Sequence, residues 1–203
     1  MNPPLRHGRV LLKPLSDLGS SAWRRVHAHF RDPEIAHLNG TPPSRMPLWL
    51  LRHVLRADSR RRDRETYGIF DVSGSGLENG LSGGSGRGSD EGTYIGTIEL
   101  YDIRHDTATL GIIIGERSHW SRGFGPEAIE ALLTRAFETL HLERVTLSTF
   151  GDNERAQAAF RKAGFYEKRR LLTSRGRVDV QMEYSRWAWL EQQSRDVSEH
   201  LAS

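Results

Sequence analysis

The chain has 203 residues, 36% hydrophobic and 27% charged, with a net charge of +3, which fits one compact domain with insertions and an apolar core. It contains no cysteine, so disulfides, thiolate metal sites and a cysteine nucleophile are excluded. No apolar run reaches the ~18 residues of a membrane span and no secretory signal opens the sequence, so a cytoplasmic protein with no membrane partner is expected.

Along the chain, residues 9–14 (RVLLKP) read as a short strand ended by Pro14. Trp23, Val26 and Phe30 recur at helical spacing with Ser20 or Ser21 as N-cap, and Asp32-Pro33-Glu34 restarts a short helix that stops near Asn39-Gly40. Leu48, Leu51, Val54 and Leu55 give one apolar face to a helix over 47–61, and 66–72 (TYGIFDV) reads as a strand. Glycine and serine dominate 73–92, which cannot bury enough apolar surface to order itself and is expected as a flexible hairpin excursion. It lacks the Lys-Ser/Thr pair and the following helix of a phosphate loop.

Residues 93–103 and 107–116 are β-rich and joined by a short polar turn, as in an antiparallel pair. Ile129, Leu132, Leu133, Ala136, Phe137 and Leu140 then mark one amphipathic helix. Residues 144–150 (RVTLSTF) read as a strand, and Asn153 caps a helix that ends with Gly164 at C′. FYEKRRLL and VDVQMEY suggest a closing hairpin, and 185–203 a tail or terminal helix through Trp187, Trp189 and Leu190. One βαβ crossover, from 107–116 to 144–150, inside a largely antiparallel sheet makes an α+β fold.

HWSRGFGPEA (119–128) carries the clearest chemistry. Gly123 and Gly125 permit close backbone approach and positive φ, Pro126 fits the first helical position, and Glu127 suits the helix dipole. The N–H groups of 122–125, with the Arg122 side chain, offer a seat for phosphate or pyrophosphate, although an ordinary strand-to-helix turn uses the same residues. The dinucleotide fingerprint fits poorly: its third glycine is missing unless Ala128 stands in, and no acidic residue ends the next strand. Basic clusters at Arg60, Arg61, Arg62 and Arg64 and at Lys168, Arg169 and Arg170 suit solvated charge, an anionic ligand or an acidic partner. No zinc-finger spacing or RNP aromatic pattern is present, so nucleic acid is not an expected partner.

GIIIGERSHWSRGFGPEA (111–128) closely resembles the cofactor-binding core of the GNAT superfamily of N-acetyltransferases. More narrowly it resembles the RimJ/RimL type, which commonly reads G-I-x-I-G-x-x-x-x-W-G-K-G-Y-G-x-E-A. The likeness continues through NERAQAAFRKAGF (153–165), FRDPEIAHLNG (30–40) and DVQMEYS (179–185), and spans about Val10 to Trp187 apart from 73–92. It implies a GNAT-like mixed, mostly antiparallel central sheet of six to seven strands with helices on both faces, in a single acetyltransferase-like domain over 1–203.

The resemblance further implies acetyl-CoA as acetyl donor and no metal. Backbone groups of Ile112, Ile113 and Ile114 would pair with its pantetheine amides. Trp120, Ser121, Arg122, Gly123, Phe124, Gly125 and Pro126 would cradle the pyrophosphate, and Asn153, with Phe160 beside it, would hold the pantetheine side. The strands at 107–116 and 144–150 would splay apart, opened by a bulge near 111–115. Homodimers are common among relatives.

Direct transfer to a primary amine, on a protein N-terminus or a small molecule, needs an oxyanion donor and a base. A backbone N–H near 112–114 serves as the first. Glu99 and Glu116 are the candidates for the second, although Glu99 equally suits a solvent-facing strand side and Glu116 a turn-capping carboxylate. Thr109 stands where many relatives carry glutamate, and Phe160 where many place a proton-donating tyrosine, leaving Tyr94, Tyr101 and His119 as other donors. These departures keep open the alternative of a catalytically impaired acyl-CoA-binding module.

Overall fold

The computed structural model describes residues 2–74, 92–174 and 176–201, so the excursion expected over 73–92 lies outside the described residues except at its ends. Eight strands form one sheet: β1 (Leu5–His7), β2 (Val10–Pro14), β3 (Glu65–Asp71), β4 (Thr93–Arg104), β5 (Thr107–Ile114), β6 (Arg144–Phe150), β7 (Tyr166–Leu172) and β8 (Val178–Ser185). Their order is β1-β2-β3-β4-β5-β6-β8-β7, and only β5 and β6 run parallel. Eight strands correct the expected six to seven. The addition is β1, three residues too short to show a period-two pattern, which folds back on β2 through Gly8 at φ +52°.

Helices cover both faces. On one side α1 (Ser20–Arg31) and α3 (Leu48–Asp58) set Trp23, Val26 and Leu51 against Leu15, Phe70 and Tyr94. α1 starts from Gly19, so Ser20 and Ser21 are helical residues rather than caps. The short α2 (Pro33–Leu38) begins as its sequence dictates: Asp32 accepts from the N–H groups of Glu34 and Ile35, and Pro33 occupies the first turn.

On the other side α4 (Phe124–Thr134) buries Ile129, Leu132 and Leu133 against Ile98, Leu100 and Leu110. The expected apolar stripe is buried, but the backbone widens into a π-turn over Arg135–Thr139 instead of continuing as one α-helix. Arg135 leaves that turn to pair with Glu65 of β3 at 3.0 Å, and the Tyr67 hydroxyl donates to the same carboxylate. α5 (Glu154–Lys162) and α6 (Arg186–Leu201) complete the fold, with Gly164 at φ +96° closing α5 as expected. No helix among the described residues is long and apolar enough to cross a membrane.

One irregularity shapes the centre of the sheet. Ile69 lies opposite Gly96 and Phe70 opposite Tyr94, so Ile95 is bulged out of the β3–β4 ladder. Its carbonyl accepts two donors beyond the end of β5, Gly115 N–H at 2.8 Å and Glu116 N–H at 3.1 Å.

Candidate active site

β5 pairs with β6 only at Thr107–Arg144, Ala108–Val145 and Thr109–Thr146, after which the strands diverge. The expected splay is present, and the irregularity nearest it lies at the end of β5, where the successive N–H groups of Gly115 and Glu116 both donate to the Ile95 carbonyl. β5 keeps regular register with β4 from Thr109 to Ile114, and its pairing shifts at Tyr101–Arg104. A cleft of about 400 Å3 opens between the diverging strands. Ile112, Ile113 and Ile114 form one wall, Trp120, Ser121, Gly123, Gly125 and Pro126 the rim, and Asn153, Ala156 and Phe160 the opposite wall.

The rim turn has the backbone geometry of a helix start that can receive an anion. Ser121 and Gly123 both have positive φ, +57° and +91°, and Gly123 is the residue before the first turn of α4. No side chain caps that turn, so the free N–H groups at the helix start face outward from the dipole's positive end. Two expectations are corrected here. α4 starts at Phe124, so Gly125 lies within the helix without positive φ, and Pro126 is the third helical residue rather than the first. Pro126 still suits its place, because N–H groups of the first turn have no intrahelical partner.

Cations brace this rim. Arg9 donates to the Arg122 carbonyl at 2.9 Å and pairs with Glu127, while its guanidinium lies 4.4 Å from the Phe124 ring centroid. Arg122 itself is exposed, donates to the Ser118 carbonyl at 3.3 Å and lies 5.9 Å from the Phe124 ring centroid. Trp120 donates its indole N–H to the Ile114 carbonyl at 2.7 Å, tying the turn back to β5. Arg155 lies 3.5 Å over the Trp120 ring, and burial pushes its pKa down despite the field of Glu34.

Asn153 caps α5 as expected, accepting from Ala156 N–H at 3.2 Å. Asn153→Ala should cost about 1 kcal/mol of stability and weaken acetyl-CoA binding by fraying the cleft wall, read from urea unfolding and calorimetry. Phe160 is buried, packs edge-on against Phe165 and contributes to the cleft wall without any proton to donate.

Among the described residues the cleft wall contains Arg155 and Lys162 and no carboxylate, a composition that fits an anionic ligand. A second cavity, about 40 Å3, lies on the α1–α2 side of the sheet and shares Ile35, Asn39 and Ile113 with the cleft.

The two candidate bases are separated. Glu99 lies across β4–β5 from Gly111 but is bound by Arg64 at 3.0 Å and Thr66 at 3.2 Å, and lines neither cavity. Burial raises its carboxyl, with Arg64 opposing. Glu116 binds Arg25 at 2.6 Å and His29 at 3.2 Å. Burial pushes the Glu116 carboxyl up, yet these two hydrogen bonds outweigh it and hold the group below the usual carboxylate range. His119 pairs with Asp71 at 3.1 Å and meets Phe124 edge-on at 4.8 Å, which accounts for its place. Sequence reasoning missed Arg9, Arg155 and His29; the first two carry a readable signal, a cation beside the anion-binding motifs.

A splayed parallel pair inside an antiparallel sheet, with a glycine turn at the crossover helix and an anion-fitting cleft, defines an acyl-CoA-dependent transferase architecture. Residues 9–166 match the acetyltransferase (GNAT) domain family. The chain belongs to that family and is an acetyl-CoA-dependent N-acetyltransferase. It is 25% identical over 171 residues to the uncharacterized N-acetyltransferase YoaA of Bacillus subtilis (strain 168), covering 83% of this chain and 85% of that one. The spermidine N-acetyltransferase of Vibrio cholerae, solved in complex with CoA and spermine, has the same fold at TM-score 0.71 and 19% identity, over 90% of this chain and 98% of that chain. A GNAT-family acetyltransferase from Bacillus anthracis matches at TM-score 0.69 and 13% identity, over 91% of this chain and 99% of that chain.

Proposed function

We propose that this chain, acting as a RimJ/RimL-type cytoplasmic enzyme, moves the acetyl group of acetyl-CoA directly to a primary amine that enters from the α1–α2 side. The amine belongs to a small molecule or a protein N-terminus. The observation that carries the reading is that the two cavities share Ile35, Asn39 and Ile113 in their walls, which sets a donor site and an acceptor site side by side. Acetyl-CoA supplies a thioester carbonyl and a thiolate leaving group. The chain's residues hold it through the 120–126 rim, the β5 backbone at Ile112, Ile113 and Ile114, and the Asn153-capped wall. A β5 N–H facing the splay is the oxyanion donor, an interaction that contributes roughly 3 kcal/mol to such reactions.

The acceptor cavity also bears on substrate class. Phe30, Ile35, Ala36, Pro42, Tyr94 and Ile113 give it an apolar wall, and among the described residues no carboxylate lines it. A polyamine would leave its second ammonium group unpaired there, whereas a monoamine on an apolar or neutral body would not. Thiol release over an amine panel should show monoamines exceeding spermidine in kcat/KM by at least about tenfold. Spermidine outrunning every monoamine would overturn this assignment of acceptor class.

One observation favours a second reading: Phe160 offers no hydroxyl to protonate the departing thiolate. A thiol is a fairly good leaving group, which keeps turnover feasible without that acid. Calorimetric acetyl-CoA binding with no thiol release on any amine would establish the binding module instead.

A further inference from the structure

The acceptor cavity has a histidine in its wall, placed by an arrangement that packing alone does not explain. His29, in the last turn of α1, is 7% exposed. Its ring stacks on Tyr94 at 5.6 Å and 22° and lies against Gly115, where an added Cβ would stand 2.0 Å from Nδ1. Nε2 meets the Glu116 carboxylate at 3.2 Å, and Arg25 clamps the same carboxylate oxygen at 2.6 Å. The other nitrogen, Nδ1, is fully buried and has no hydrogen-bond partner. We propose that His29, oriented by Glu116 and Arg25, is the proton acceptor for the amine that occupies this cavity.

A histidine serving only to fill space would satisfy both nitrogens, since a buried nitrogen left unpaired is destabilising. An ionised Glu116 keeps the ring proton on Nε2 and leaves the lone pair on Nδ1, a tautomer fixed by the hydrogen-bond network. Burial lowers the His29 pKa, opposed by the hydrogen bond and field of Glu116, with Arg25 adding to the lowering and Asp32 opposing it. Tyr94, packed on the ring from β4, stays a neutral phenol because burial raises its pKa. His29 is therefore a buried, neutral imidazole in the cavity wall whose Nδ1 lone pair lacks a donor, and an ammonium or amine N–H inserted against that wall would supply one. Glu116 and Arg25 line neither cavity, so they are positioning residues. Glu99 is held by Arg64 and Thr66 and lines neither cavity, so it does not face the acceptor.

The proton balance is simple. The acceptor's ammonium gives one proton to Nδ1 and becomes nucleophilic; the N–C bond forms as the thioester C–S bond breaks. A second amine proton leaves with the thiolate as free thiol, and His29 returns its proton to solvent.

The inference rests on the acetyl-transfer reading and is tested beside it. His29→Gln keeps a donor near Glu116 but removes the base, so kcat should fall about 10²- to 10⁴-fold while acetyl-CoA affinity by calorimetry stays unchanged. The wild-type rate should fall as pH drops through a pKa below 6.5 and be flat above it; the variant should instead rise tenfold per pH unit toward the amine's own pKa. Glu116→Gln should lower kcat less and move the acidic limb to lower pH. Wild-type turnover with His29→Gln kinetics within threefold and the same profile would overturn the dyad alone. A wild-type profile lacking the acidic limb would do so even if the variant failed to fold. Absence of thiol release by wild type on every amine removes both readings.

Discussion

Replacing Gly123 by glutamate is expected to weaken acetyl-CoA binding by at least about a hundredfold, or ~2.7 kcal/mol, while the protein still unfolds cooperatively in urea. Gly123 has φ +91°, where any residue with a Cβ is strained by about 1–2 kcal/mol. An added Cβ would stand 3.2 Å from Arg9 Nη2, so the arginine that braces the rim must yield. The new carboxylate would then sit at the start of α4, whose free N–H groups otherwise await an anion. It would both occupy that seat and repel the pyrophosphate. Gly123→Ala separates the contributions, carrying the strain without the charge, and should lose roughly tenfold. Affinity within threefold of wild type for the glutamate variant, with the fold intact, would refute the pyrophosphate role of this turn.

What could be read from the chain follows from which features are local. The glycine turn, the Asn153 cap and the buried stripe from Ile129 to Phe137 each depend on residues a few positions apart, and the structure has them close to where the pattern implied. The site's second half is different. His29, Glu116 and Gly115 come together only because Ile95 bulges and its carbonyl captures the chain beyond β5, and no spacing within 20–31 or 107–116 encodes that meeting. The widening of α4 at Arg135 is likewise set by a distant partner, Glu65 of β3. Glu99 looked equivalent to Glu116 in sequence because both carboxylates flank the same strand. Their difference is the company each keeps: Arg64 and Thr66 for one, a buried imidazole for the other.

The same bulge supplies the second large effect, at Gly96. Opposite Ile114 in the β4–β5 ladder, Gly96 brings its backbone so close to β5 that an added Cβ would stand 2.1 Å from the Ile113 carbonyl oxygen and 3.0 Å from the Ile114 Cα. Neither obstacle is a side chain that can swing aside; both are backbone of the strand that forms one wall of the cleft. Gly96→Ala should therefore push β4 and β5 apart, costing about 3 kcal/mol of stability, the upper end of ordinary overpacking. It should also shift Ile113 and Ile114 into the cleft and loosen the paired hydrogen bonds from Gly115 and Glu116 to Ile95. Acetyl-CoA affinity and the His29-dependent acidic limb should thus degrade together in one variant, by urea unfolding, calorimetry and a pH–rate series. Gly19→Ala is the matched control. Gly19 has φ −72° and nothing within 4 Å of an added Cβ, so stability should move by no more than about 1 kcal/mol, the loss of a glycine cap at the start of α1. If Gly96→Ala were as silent as Gly19→Ala, the close approach of β4 to β5 would not be what holds the cleft and the acceptor cavity in register.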